Sequence, residues 1–376
     1  MMPGLSNRAS TRMALVKPRG GGSGHLPRAP PAPERMLRCA IADGSDSRVT
    51  SIDVARRAGV SQSTVSLVLS GKARGRVSAD KEAAVRRAAA ELGYRPNAAA
   101  RALRLGAARS VCLVVPDVTH PYFGQVMRGA QAAAWEAGYA VLLVDTANDR
   151  AWEASSYEAL RGGPVDGFLF FGIEPPRGRR GARGEQIVVI DAEIAGHPSV
   201  RLDTESGIDA VMAHLLELGH RRIGHLAASV RGQTFRRRRE RVDAALAGAG
   251  IDPASAPRAG SPFGFEDARR AAHELLGDED RPTAIVGDDD ILAGGVYLAA
   301  RDLGLRIPED VSVVGFDDLD FTRLLEPPLT TVAADGVELG ALAFTTLASR
   351  MAGERVARVQ RVPVRLEVRG STGPPR

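Results

Sequence analysis

Apolar positions change their spacing twice along this chain. Residues 1–48, rich in Gly, Pro, Arg and Ser, show no apolar period and read as a disordered basic tail. From Thr50 the spacing becomes helical. Ile52, Ala55 and Ala58 recur at i, i+3 and i+6, which predicts a slim amphipathic helix capped by Thr50, with Asp53 closing a capping box. Gly59 permits the turn, and Ser61 caps a second helix, Gln62 to Leu69, with Val65, Val68 and Leu69 inward. Ser78 caps a third, whose inward face is Val85, Ala88, Ala89 and Leu92 and whose stop is Gly93. Pro96-Asn97 then opens an Ala-rich stretch too short to be a stable helix alone, because nucleation is costly.

From Ser110 the apolar positions form continuous runs at 111–115, 140–144, 167–171 and 187–190, as strands buried on both faces require. A second set follows at 222–226, 284–286 and 311–316, and helical patterns at 122–137, 207–218 and 290–303 alternate with the strands. This alternation predicts doubly wound parallel sheets in two lobes, with ligands outside the carboxyl ends of the strands. Asp117, Tyr122 and Phe123, then Asp191, Asp288-Asp289 and Asp317-Asp318, all follow strands. Capping of helix N-termini competes with ligand contact as the role of these acids. The two readings stand level for Asp288 and Asp318, whereas ligand contact is favoured for Asp289 and Asp317.

The 376 residues suffice for two or three domains, and the net charge of +5 is unevenly placed. Residues 1–49 hold eight cations and three acids, residues 50–109 twelve and four, and the remainder 30 and 38. A basic module on an acidic body is the electrostatic footprint of nucleic-acid binding. Two cysteines give no disulfide framework, and Cys112 in its apolar run reads as a core residue of a cytoplasmic protein. No apolar segment is long enough to span a membrane, and the tail lacks the apolar core of a signal peptide. The seven histidines form no metal-ligand spacing, and neither a phosphate loop nor a nucleophile elbow appears. Enzymatic chemistry and a cofactor are therefore not expected.

Asp53-Val-Ala, Ala58-Gly-Val-Ser, Thr64-Val-Ser, Val77-Ser78 and 91–97, Glu-Leu-Gly-Tyr-Arg-Pro-Asn, resemble in order and spacing the LacI/GalR family of bacterial repressors. The resemblance covers about residues 49–370. It implies a small all-α helix-turn-helix headpiece at 49–95, a hinge helix and linker at 96–109, a two-lobed α/β body at 110–370, like periplasmic binding proteins, and a C-terminal tail at 371–376. Family members usually begin just before the first helix, so residues 1–48 fit a start codon placed too far upstream, with Met36 as one internal alternative. The implied function is a homodimeric, nucleoid-associated repressor on pseudo-palindromic operator DNA, controlled by a sugar or related metabolite between the lobes.

By this resemblance Thr50, Ser61, Gln62, Ser63, Thr64, Ser66 and Leu67 face DNA, and Lys72, Arg74 and Arg76 meet flanking phosphates. Asn97, Ala100, Leu103 and Arg104 belong to the hinge, where Leu103 wedges open a base step. Tyr122, Phe123, Asp191, Arg238, Asp289 and Asp317 contact the effector. The register of Arg238 rests on Ala245-Leu246, since residues 236–239 are all arginine and Arg241 occupies a usual glycine. Asp288 stands where Asn is usual. A solute-binding protein would share the body but need an export signal, and a sugar-metabolising enzyme would need a catalytic constellation. The headpiece favours neither.

Overall fold

The computed structural model describes residues 49–94, 108–160, 165–175, 186–230, 232–278 and 280–376. It falls into two units divided between Arg95 and Pro96. The tail at 1–48 and the hinge positions Asn97, Ala100, Leu103 and Arg104 lie outside the described residues. Among those described, no helix is long and apolar enough to cross a membrane.

The first unit packs α1 (Ser51–Ala58), α2 (Gln62–Leu69) and α3 (Ala79–Glu91) around Val54, Ala55, Val65, Val68, Val85, Ala88 and Ala89. The inward face of α1 differs from expectation. Val54 is fully buried, while Ile52 is 53% exposed. Residues 54, 55 and 58 form the stripe facing α3, and Ile52 sits in the first turn beyond it. Gly59 takes φ 65° after α1, as the turn requires. Arg57 reaches Glu91 at 2.7 Å and ties α1 to α3 across the surface.

The second unit contains two parallel-sheet lobes. In the first lobe the strand order is β11 (Val359–Val362), β5 (Ser199–Leu202), β4 (Ile187–Ile190), β3 (Gly167–Phe171), β1 (Ser110–Val115) and β2 (Ala140–Asp145). In the second it is β12 (Val364–Glu367), β10 (Thr330–Ala334), β9 (Ser312–Asp317), β8 (Ala284–Gly287), β6 (Ile223–Ala228) and β7 (Arg258–Ser261), and only β12 runs antiparallel to its neighbour. The chain therefore crosses between lobes after β5, after β10 and after β11. Helices α4 (Pro121–Glu136) and α10 (Gly336–Met351) pack together on the first sheet, whose other face carries Tyr157 of α5 (Arg150–Leu160). Helices α6 (Thr204–Glu217) and α7 (Gln233–Gly248) cover one face of the second sheet, and α8 (Phe265–Leu276) and α9 (Asp290–Asp302) the other.

The largest core cluster joins both lobes, from Val111 and Leu113 through Phe316 to Phe344. Residues 371–373 are bonded into the second lobe. Ser371 Oγ accepts from the Thr330 N–H at 2.7 Å and donates to the Val313 carbonyl at 2.6 Å.

Candidate DNA-reading helix and effector cleft

At the start of α1, the Thr50 hydroxyl accepts from the Asp53 N–H at 3.4 Å, and Asp53 accepts from the Thr50 N–H at 2.9 Å and from its hydroxyl at 2.7 Å. These bonds hold the Asp53 carboxyl below its usual pKa. Ser61 opens α2 by accepting from the Thr64 N–H at 3.2 Å, and its hydroxyl meets Ser63 Oγ and Thr64 Oγ1 at 2.7 and 2.9 Å. Gln62 is exposed and donates one amide hydrogen to Ser51 Oγ at 2.9 Å. Its carbonyl and second amide hydrogen remain for an outside partner. Ser66 and Leu67 are half-buried on the next turn. Lys72, Arg74 and Arg76 are exposed on a loop that is pinned by the buried Ala73.

In the body, strand ends from both lobes surround one cavity of 1350 Å³. Tyr122, Phe123, Asp191, Arg238, Asp289 and Asp317 all line it. Phe123 and Phe171 meet edge to face at 4.9 Å, giving the first lobe an aromatic wall. Asp191 and Asp317 take positive φ, 57° and 111°, at the ends of β4 and β9. Such backbone costs about 1–3 kcal/mol for a non-glycine residue and recurs at functional sites.

Arg238 is held from two sides. It donates through Nη1 to the Asp288 carbonyl oxygen, and its guanidinium lies 3.5 Å over the Phe316 ring. Its Nε is buried and unpaired, as is the Tyr122 hydroxyl. Asp288 also lines the cavity, but both its carboxylate oxygens are engaged within the second lobe, accepting from His225 Nε2 at 2.9 Å and from the Ala228 N–H at 2.8 Å. Asp318 is likewise structural, accepting from Arg369 at 2.5 Å and Arg323 at 2.7 Å.

Asp289 caps α9 through the Ile291 N–H at 2.6 Å and meets His120 Nε2 at 2.9 Å. Burial pushes its pKa up, but the His120 hydrogen bond and the other bonds it accepts outweigh this and hold it low. Asp317 moves the other way. Burial, and after it the neighbouring Asp289 charge, push it well above the usual carboxylate range. Burial also raises Asp191, against the pull of Arg238.

His120 was not among the residues expected from sequence. It lies between Asp117 and Tyr122, but its partner Asp289 lies 169 positions away in the other lobe, and no local signal links them. The lobes are also joined by Glu193, whose backbone exchanges two hydrogen bonds with the Gln233 amide at 2.9 and 3.1 Å, and whose carboxylate meets Arg237 at 2.8 Å.

His120, Asp289 and Asp317 bring donor atoms of metal-binding type within 4.8 Å of one another. Their hydrogen bonds argue against an ion there. His120 Nδ1 accepts from the Tyr122 N–H at 3.3 Å and caps α4, so the ring proton sits on Nε2 and points at Asp289. An imidazole in that tautomer offers no free lone pair toward the carboxylates.

Comparison with known proteins agrees with this geometry. Residues 51–97 match the model of the bacterial regulatory proteins of the lacI family, and residues 212–372 match a periplasmic binding protein-like domain. The HTH-type transcriptional repressor CytR of Escherichia coli K12 is 32% identical over 335 residues, covering 87% of this chain and 97% of that protein. The lac repressor dimer bound to operator and an anti-inducer superposes with a TM-score of 0.75 at 26% identity, covering 86% of this chain and 99% of that one. A LacI family regulator from Enterococcus faecium with bound ribose gives a TM-score of 0.64 at 27% identity, covering 70% and 99%.

Proposed function

Given that the chain belongs to the lacI family of bacterial regulatory proteins and is a DNA-binding transcriptional repressor of that family, we propose that it acts as a homodimer on pseudo-palindromic operator DNA. Its affinity for that DNA is set by a sugar or related metabolite held between the lobes. Ser61, Gln62, Ser63, Thr64, Ser66 and Leu67 present the base-reading surface, Thr50, Lys72, Arg74 and Arg76 meet phosphates, and Asn97, Ala100, Leu103 and Arg104 form the paired hinge. Tyr122, Phe123, Asp191, Arg238, Asp289 and Asp317 hold the effector. A relative with bound ribose supports the sugar class.

The observation that carries the DNA half is Gln62, exposed at the first position of α2 and steadied by Ser51. Carbonyl and amide together can bond an adenine edge, while Leu67 offers only apolar contact to a thymine methyl. Gln62→Ala is expected to cost about 1–3 kcal/mol at one base pair of each half-site and little elsewhere. Binding measured across single-base operator variants checks this. A loss spread evenly over all variants would make Gln62 a positioning residue.

A further inference from the structure

The cavity has two chemically different ends. Its floor is acidic, with Asp191, Asp289 and Asp317 around Arg238, while its rim includes the loop after β6 and the first two turns of α7. There Arg236 and Arg239 line the opening, both exposed and one helical turn apart. The other three of the five arginines on α7 serve the fold: Arg237 binds Glu193 at 2.8 Å, Arg238 binds the Asp288 carbonyl, and Arg241 binds Asp209 at 2.6 Å. Arg236 has only a 3.6 Å surface contact to Glu240, and Arg239 has no ion pair among the described residues.

The same rim holds the start of a 16-residue helix. Its N-cap is Gly232, which has no side chain to accept from the first-turn N–H groups, and no acid stands in that turn. Gln233 is spent across the cleft on the Glu193 backbone. The N–H groups of the turn and the positive end of the helix dipole are therefore left for an anion. Independently, Thr234 in this turn is buried with its hydroxyl unpartnered; it lies near Asp191 without a hydrogen bond of normal geometry. Asp117 and Glu174 of the first lobe also line the cavity.

We propose that this rim is a phosphate subsite, in which the α7 N-terminus, Arg236 and Arg239 hold the phosphate of a phosphorylated, hydroxylated ligand whose body reaches the floor. A phosphate monoester offers three acceptor oxygens, enough to meet both guanidinium groups and the helix N–H groups together. A neutral sugar could accept from these donors but would leave their positive charge uncompensated. The proposal rests on reading the cavity as the effector site, and it adds the ligand's charge.

The test uses DNA-free full-length protein, thermal shift and calorimetry, with sodium phosphate, D-ribose 5-phosphate and D-ribose as probes at constant ionic strength. Both phosphate probes are expected to bind the wild type, the ester more tightly. Arg236→Gln/Arg239→Gln should weaken both by roughly tenfold or more. The response to D-ribose and the ligand-free melting point should stay as in the wild type, since both side chains are exposed. The subsite is overturned if the phosphate probes bind the double variant as well as the wild type, or fail to bind the wild type. Equal affinity for inorganic phosphate and the ester overturns the ester assignment. Operator affinity measured with the same probes separates the premise: arginine-dependent phosphate binding with no effect on operator binding upholds the subsite and sinks the effector reading of the cavity.

Discussion

Asp317 shows how one residue on the cavity wall can cost the fold stability. Its backbone sits at φ 111°, and its carboxyl is buried against Asp289 with its pKa pushed well up by that burial. Between the unfolded value of 3.8 and the raised folded value, the folded protein keeps a proton that the unfolded chain has released. Stability from this group is therefore present at low pH and lost as pH rises through that window. Asp317→Asn removes the titration, can still donate to Asp289 and tolerates the positive φ. The variant is expected to melt higher than wild type at pH 7.5, with the gain shrinking toward pH 4. Melting curves across this range decide the matter, and a difference independent of pH would sink the idea. His120 and Arg238 follow the same logic, each fixed by contacts in the fold with one face left on the cavity.

Among the elements, α4 and α10 approach so closely that glycine is required at the crossing. A Cβ on Gly129 would overlap the Val337 carbonyl oxygen, and one on Gly340 would overlap that of Val126. Since α4 begins with the His120 cap and carries Tyr122 and Phe123, this crossing also sets one wall of the cavity. Gly129→Ala is expected to destabilise by about 1–3 kcal/mol or more, because packed backbone cannot move aside cheaply. Gly124, on the same helix, has open space around its Cβ position. Gly124→Ala should be neutral or stabilising by up to about 1 kcal/mol. Urea midpoints of the two variants provide the comparison, and equal effects would contradict the crossing argument.

Across the whole molecule, the DNA-reading unit and the cleft are connected through residues 95–107 of the chain. In the proposed function, effector control acts through the hinge assigned to Asn97, Ala100, Leu103 and Arg104. Such coupling typically amounts to about 1–3 kcal/mol, and linkage makes it reciprocal. Operator should shift effector affinity by the same factor that effector shifts operator affinity. Leu103→Ala is expected to weaken operator binding and DNA bending while leaving the effector affinity of the DNA-free protein unchanged. Effector affinity measured with and without operator, in wild type and variant, tests the route. An equal operator-induced shift in both proteins would remove the wedge from the mechanism.

The elements legible in the sequence are those whose reasons are local. The caps at Thr50 and Ser61, the turn at Gly59 and the apolar runs of β1, β3, β4, β8 and β9 depend on neighbours a few residues away. The family followed from motif order, the two-lobed body from the alternation of strand runs and helical patterns, and the six residues that line the cavity from the family resemblance. Strands β5, β7, β10, β11 and β12 escaped because short or polar strands carry no run to read. In β5, Arg201 interrupts the apolar pattern, yet its guanidinium is buried between Glu193 at 3.1 Å and Glu205 at 2.7 Å. Long-range packing alone set the pairings across the cleft, His120 with Asp289 and Glu193 with Gln233, and, within the second lobe, the bond of Asp288 to His225. These join residues tens to hundreds of positions apart, brought together by sheet pairing and by chain crossings between lobes, and local periodicity holds no record of such distances.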